Sequence, residues 1–299
     1  MLHSSANSRT AHNRSDASPS DSVREGHVDQ RFVLIAERFA QFADGGQVLT
    51  VSDVVKLASS ASTAGSTGTW EFHLGQGIEP SDLDALMAVG VTGDGPTMRL
   101  ADSEPPFQPP VSPIVVHKNR PENVLLAGLR AESRFTCSAD LRIHQDNELL
   151  ADHPPGRHVP GMVIIEAMRQ ICTAHFETSY RPGLPQHDYL GIWQRLDLNF
   201  DGFLFPLRAT VHFEITEADL SRPTRLQFRA TTSIRQNGKV AASAVIDYSM
   251  VERERMEVQE RRFAKRAAQA QLAGPLSAAE RLSAVHFGFP IAPTNTKEE

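Results

Sequence analysis

The sequence predicts an α+β protein in which an antiparallel sheet wraps one long helix, with a small, mainly helical region ahead of it. Three observations carry that prediction. The run "HVPGMVIIEAMRQICTAHF", residues 158–176, is apolar on most sides at helical spacing, which suits a helix enclosed by protein rather than an amphipathic surface helix. Apolar and polar residues alternate both before this run and in several stretches after it, the period-2 signature of strands with one buried face. Asn237-Gly238 stands where a two-residue hairpin turn needs positive φ at both positions, so the later strands join by short turns and lie antiparallel.

Taken in order, residues 1–27 are rich in Ser, Asn, Asp and Arg with few apolar anchors, the composition of a disordered arm. Residues 28–100 read as a small helical region of unassigned role. Residues 30–57 carry apolar residues at helical spacing, broken at Asp44-Gly45-Gly46 and restarted with Ser52 as N-cap, and "PSDLDALMAV" from Pro80 onward is a second capped helix. Residues 101–113, "ADSEPPFQPPVSP", hold five prolines without periodicity and mark a stiff linker and domain boundary. Residues 114–251 form the α+β domain. Within it Phe135, Cys137, Ala139, Leu141 and Ile143 alternate ahead of the long helix. Leu196, Leu198 and Phe200, then Ala209, Val211, Phe213 and Ile215, then Leu226, Phe228 and Ala230 alternate after it, and residues 239–251 complete the sheet. Residues 252–299 give a charged helix of mixed sign, read as a solvated face, and a tail.

Composition removes several classes of function. The net charge is −6 with no basic footprint for nucleic acid, and no run approaches the roughly 18 apolar residues of a membrane helix. The polar start has no apolar signal segment. The two cysteines, Cys137 and Cys172, lie in apolar patterns, against both a disulfide framework and a cysteine-rich metal site. A soluble cytoplasmic protein, without metal or cofactor, is expected. The glycines near Gly68 and Gly75 do not read as a nucleotide loop, because no strand-to-helix context is evident there.

The long helix carries an anomaly. Glu166, Arg169, Gln170 and Thr173 are spaced three or four residues apart, so they share one face of an otherwise apolar element. Burying charge is costly, and an apolar replacement is often at least as stable, so the stripe points to function. Just upstream, "ADHPPGRHVPGM" supplies His153, Arg157 and His158, and Pro160 favours a helix start there. The first-turn amides around Gly161 and Met162 are suited to a carbonyl oxygen or a phosphate.

At this point the residues carry a resemblance. "HPPGRHVPGMVIIEAMRQ" resembles the helix motif of the hotdog fold, in particular that of the A-factor biosynthesis family of γ-butyrolactone synthases, and "VHKNRPENVLLAGL", residues 116–129, resembles the same family's opening motif. The likeness covers roughly residues 115–251. It implies an acyltransferase that moves a β-ketoacyl group from an acyl-carrier-protein thioester to the hydroxyl of dihydroxyacetone phosphate or a similar phosphorylated acceptor. Under that reading the candidate catalytic residues are Glu166, Arg169, His153 and His158. The candidate substrate-binding residues are Gly161, Met162, Arg157, Gln170, His117 and Lys118. Glu166 would be the general base, its pKa raised by burial, and Arg169 would bind phosphate or the developing oxyanion. The chain shows the helix motif once where relatives of its length usually repeat it, so a homodimer with shared sites is expected. A hotdog dehydratase or thioesterase, with His153 and Glu166 as acid and base, is the main rival. A non-catalytic acyl-binding module is the other.

Overall fold

The computed structural model describes residues 29–65, 68–91, 95–101, 108–151 and 156–273. The expected arm, residues 102–107 of the proline-rich stretch, His153 and the C-terminal tail lie outside them.

Residues expected to be mainly helical form a parallel sheet instead. Strands β1 (Gln30–Ile35), β2 (Val48–Thr50), β3 (Thr69–Leu74) and β4 (Thr97–Leu100) lie in the order β2-β1-β3-β4, all parallel. Helices α1 (Val51–Thr63) and α2 (Pro80–Val91) connect β2 to β3 and β3 to β4. The helical spacing read across residues 30–57 had fused a strand, a 3-10 turn (Glu37–Phe42), a second short strand and the true helix. Short apolar runs such as "FVLI" suit a buried parallel strand as well as a helix face, and periodicity cannot separate the two. Thr50, rather than Ser52, caps α1. Its hydroxyl accepts from Asp53 N–H at 3.2 Å while the Asp53 carboxylate accepts from Thr50 N–H at 3.2 Å. Phe32, Trp70 and Phe72 pack as a ring cluster, with centroids 5.4 and 5.7 Å apart along the sheet.

The remainder is the expected hotdog arrangement. Strands β5 (Leu126–Ala131), β6 (Thr136–Leu141), β7 (Tyr189–Phe200), β8 (Thr210–Asp219), β9 (Arg225–Gln236) and β10 (Lys239–Glu252) build an antiparallel sheet in the order β5-β6-β8-β9-β10-β7. The β9–β10 hairpin turns at Asn237 and Gly238, with φ of 52° and 74°, the geometry read from the sequence. A short helix α3 (Glu148–Ala151) precedes the central helix α4 (Gly161–His175), which continues through a π-helical turn at Phe176–Tyr180. The sheet closes over α4 so fully that Val163, Ala167, Met168, Ile171 and Ala174 have no exposed surface. Residues 108–111, read as part of a free linker, run along the β5 edge. Val111 N–H donates to Leu126 O at 2.9 Å and Gly128 N–H to Pro109 O at 3.2 Å. That edge is therefore covered, and the 12-residue β7 forms the opposite one. Helix α5 (Arg253–Ala273) stands out in solvent with Met256 buried beneath its first turn.

The loop after β3 joins the two sheets. It does sit between a strand and a helix, the context the sequence had seemed to lack, but its polar groups are already engaged. Gly75 N–H donates to Leu34 O at 2.7 Å and Gln76 N–H to Pro206 O at 3.0 Å. A Cβ on Gly75 would lie 2.6 Å from Ile35 Cγ2 and 2.7 Å from Pro206 O, so only glycine admits this approach. The Gln76 carboxamide, 4% exposed, accepts from Ile143 N–H at 2.7 Å and donates to Leu141 O at 3.1 Å and Leu207 O at 2.9 Å. Gln76→Leu orphans these groups at about 1–3 kcal/mol for each one left buried and unpaired. Its urea midpoint should fall accordingly, and an unchanged midpoint would show that the contact is not a fastening.

Candidate active site on the central helix

Helix α4 begins where Pro160, at φ −59° and ψ 142°, turns the chain into the first helical residue, and Val159 N–H ties the approach to Leu204 O at 2.7 Å. Gly161 packs closely under the end of β7, where a Cβ would lie 3.1 Å from the ring of Phe200. Met162 is 60% exposed, and Ile165, Glu166 and Arg169 are half-buried while their neighbours on the other faces are enclosed. The open side of α4 is therefore the strip from Met162 through Ile165 and Glu166 to Arg169, whereas Gln170 and Thr173 of the polar stripe are buried.

Glu166 is the hub of that side. Arg169 meets it with both arms of its fork, Nε to Oε2 and Nη2 to Oε1, each at 2.8 Å. Lys118 Nζ lies 2.7 Å from Oε1, and Gln170 Nε2 donates to the same oxygen at 3.0 Å. Arg169 also donates from Nη2 to Val116 O at 3.0 Å, so helix and loop hold the guanidinium from two sides. Burial pushes the Glu166 carboxyl up, but Arg169, Lys118 and Gln170 together outweigh it and hold the group at about 2 against its usual 4.5. The expectation of a base raised by burial is corrected here: two cations face the carboxylate, and their attraction exceeds the desolvation cost.

Lys118 reaches this cluster through an unusual backbone. His117 adopts φ of 54°, in the left-handed region that side chains rarely enter, and the turn is closed by His117 N–H to Ile114 O at 3.2 Å and Lys118 N–H to Pro113 O at 2.8 Å. With this twist the two successive side chains both bond to α4 and its continuation, Lys118 to Glu166 and His117 Nε2 to Glu177 Oε1 at 3.1 Å. Glu177 was not singled out from the sequence. The signal was present, because it extends the Glu166–Thr173 stripe by four more residues.

Of the other expected residues, Gln170 touches the cluster from beneath while Arg157 and His158 lie apart from it. Gln170 is fully buried, its Oε1 accepting from Leu125 N–H at 2.8 Å and its Nε2 donating to Asn123 O at 2.8 Å. Expected to bind substrate, it instead pins α4 to the backbone ahead of β5, because those two peptide groups would otherwise be unpaired. Arg157 and His158 are exposed on the loop before the helix, where the His158 ring packs 5.0 Å from that of Phe203. Neither forms an ion pair with Glu166 among the described residues. Gly161 and Met162 supply the first amides of α4, and Met162 stands one turn before Glu166 on the same side.

The cysteines take no part. Burial pushes the Cys137 thiol up to about 12 and raises that of Cys172 as well, so neither is a thiolate at neutral pH. Among the described residues no group of His, Cys, Asp and Glu is arranged to hold a metal ion, and no helix is long and apolar enough to cross a membrane.

Residues 100–252 match the A-factor biosynthesis hotdog domain. A search of curated proteins finds no match. Among solved structures, a dehydratase heterocomplex from Xenorhabdus doucetiae is similar at 16% identity and a TM-score of 0.40, over 51% of this chain and 98% of that one. A mutant thioesterase from Pseudomonas aeruginosa is similar at 12% identity and a TM-score of 0.32, over 42% and 80%. A thioesterase from Haemophilus influenzae is similar at 11% identity and a TM-score of 0.31, over 42% and 77%.

A pH dependence follows from the depressed carboxyl. A group held at about 2 in the fold and near 4.5 when unfolded stabilises the fold above 4.5, and that contribution is lost as pH falls toward 2. Glu166→Gln lacks it at every pH. The stability difference between wild type and Glu166→Gln, from urea melts, should be largest at neutral pH and shrink between pH 4.5 and 2; a constant difference would show that the cations do not hold the carboxylate.

Proposed function

The chain belongs to the A-factor biosynthesis hotdog family, and from that premise we propose that it is an acyltransferase moving a β-ketoacyl group from an acyl-carrier-protein thioester to a phosphorylated hydroxyl acceptor such as dihydroxyacetone phosphate. The observation that carries the reading is the Lys118–Glu166–Arg169 cluster on the open side of α4. Two cations around one carboxylate leave one net positive charge, which suits an anionic acceptor and a transition state that develops negative charge on oxygen.

The steps use groups already in place. The acceptor's phosphate engages Lys118 and the outer edge of Arg169. As it does so, it draws away the charges that keep Glu166 acidic, and the carboxylate's proton affinity rises toward that of a useful base. Glu166 then takes the hydroxyl proton as the oxygen attacks the thioester carbonyl. The C–O bond forms and the C–S bond breaks. The thiolate leaves and recovers a proton. The amides of Gly161 and Met162, at the positive end of the α4 dipole, hold the carbonyl oxygen as it becomes an oxyanion. His117 acts through Lys118 by fixing the loop to Glu177.

Offered a β-ketoacyl thioester and dihydroxyacetone phosphate, the purified protein should yield a phosphorylated ester by mass spectrometry. Glu166→Gln should abolish turnover. Arg169→Lys should raise KM for the phosphorylated acceptor roughly tenfold or more, since an ammonium cannot reproduce the fork. Water loss from a β-hydroxyacyl thioester, with no ester formed, would replace this reading with a dehydratase. Equal kinetics on phosphorylated and unphosphorylated acceptors would remove Arg169 from phosphate binding.

The site is completed, in this reading, by a second copy. Strand β7 is a long sheet edge that carries Phe200 at 56% exposure beside Gly161 and the 60%-exposed Met162, so edge and helix opening form one continuous apolar border to the polar cluster. Sedimentation should show a dimer that Phe200→Glu weakens together with activity. A wild-type monomer at assay concentration with full activity would show that one chain suffices.

A further inference from the structure

On the outer face of the hotdog sheet, away from α4, a pocket of about 190 Å³ lies where α5 springs from β10. Its polar lining is Arg222, Arg225, Arg255, Thr224, Gln194 and Gln259, with no carboxylate among the described lining residues. Three guanidinium groups so placed repel one another, and the common remedy of an interleaved acid is missing from the wall. The nearby carboxylates are turned to other tasks: Glu252 is 3.1 Å from His187, Asp188 is 3.6 Å from Arg253, and Asp219 approaches Arg222 while binding Ser221 N–H at 2.9 Å. Arg225 Nε is buried without a hydrogen-bond partner among the described residues, a donor the fold does not use.

The scaffold around these arginines is rigidly tied. Tyr189 hydroxyl donates to Pro223 O at 2.9 Å, Glu252 N–H to Thr224 O at 3.0 Å, Arg225 N–H to Arg222 O at 2.9 Å, and Arg255 Nη1 to Thr224 Oγ1 at 2.6 Å. The turn before β9 and the first turn of α5 are thus held face to face.

We propose that this pocket binds a phosphate-class oxyanion, either free or as the head group of a small phosphate ester. Forked guanidinium donors match tetrahedral oxygens, the Thr and Gln side chains add neutral donors, and the volume fits a head group and excludes an acyl chain. The site is separate from the α4 cluster and stands whether or not the acyltransferase reading does.

The test is thermal unfolding of the full chain at constant ionic strength, with chloride replaced by inorganic phosphate or by glycerol 3-phosphate. The expected result is a saturable rise in Tm with phosphate. Its apparent dissociation constant should weaken roughly tenfold or more in Arg255→Gln, and with Arg169→Lys as the common background, which weakens the α4 cluster's own hold on phosphate, the rise should vanish when Arg225→Gln/Arg255→Gln is added. Arg255 is exposed on the first turn of α5, so its single variant keeps the fold intact. A larger shift with glycerol 3-phosphate supports an ester head group, and a larger one with inorganic phosphate supports the free ion. No saturable shift in wild type overturns the proposal. So does a shift that survives in Arg255→Gln and is lost in Arg169→Lys, which would place the phosphate on α4.

Discussion

The structure depends on one steric constraint: a single helix must fill the inside of a curled six-stranded sheet. Val163, Ala167, Met168, Ile171 and Ala174 are sealed from solvent, and a truncation such as Ile→Ala in so close-packed a place costs about 2–5 kcal/mol. The same seal decides where chemistry can occur. With the other faces of α4 pressed against strands, the strip from Met162 through Glu166 to Arg169 is the side of the helix that the described residues leave open to solvent. The charges are on that stripe because it is the one place where water, a partner or a ligand can share their solvation.

The cluster also shows why burial alone does not make a base. Desolvation favours the protonated form of Glu166, as the sequence reading assumed, yet a forked arginine and a lysine at 2.7–2.8 Å reverse the outcome. A salt-bridged acid of this kind rests ionised and unreactive, and its proton affinity becomes conditional on what its partners are doing. An anion that competed for Lys118 and Arg169 would bind and raise the carboxylate's proton affinity together, which is how the proposed function couples its acceptor to the start of chemistry. The left-handed His117 belongs to the same device. Its strained backbone is tolerated because the flanking turn and the Glu177 contact both hold it, and the return is a lysine delivered into the carboxylate's reach.

What could be read from the sequence followed the strength of the local signal. Alternation along β6 to β10 is long and regular, Asn237-Gly238 has one conformational meaning, and the apolar helix between strands leaves a sheet one way to bury it. Pairwise spacing on α4 brought Glu166, Arg169 and Gln170 together correctly. It could not show that Gln170 is spent on the peptide groups of Asn123 and Leu125, because those partners lie more than forty residues away. The parallel unit before residue 101 was misread for a related reason. Its strands are three to six residues long, too short to show a period, and their identity rests on pairing with one another.

That parallel unit bears on why a single hotdog can persist in a chain of this length. A bare hotdog sheet has two edges, and each is an open ladder able to pair with any other chain. Here residues 108–111 cover the β5 edge, and the Gln76 carboxamide fastens the α/β unit beside it through the backbone of residues 141, 143 and 207. The stretch that follows the unit, not the unit itself, therefore covers one edge of the sheet. The remaining edge, β7, is the one bordered by the helix opening and by Phe200, so the ladder that the described residues leave open lies on the side of the polar cluster.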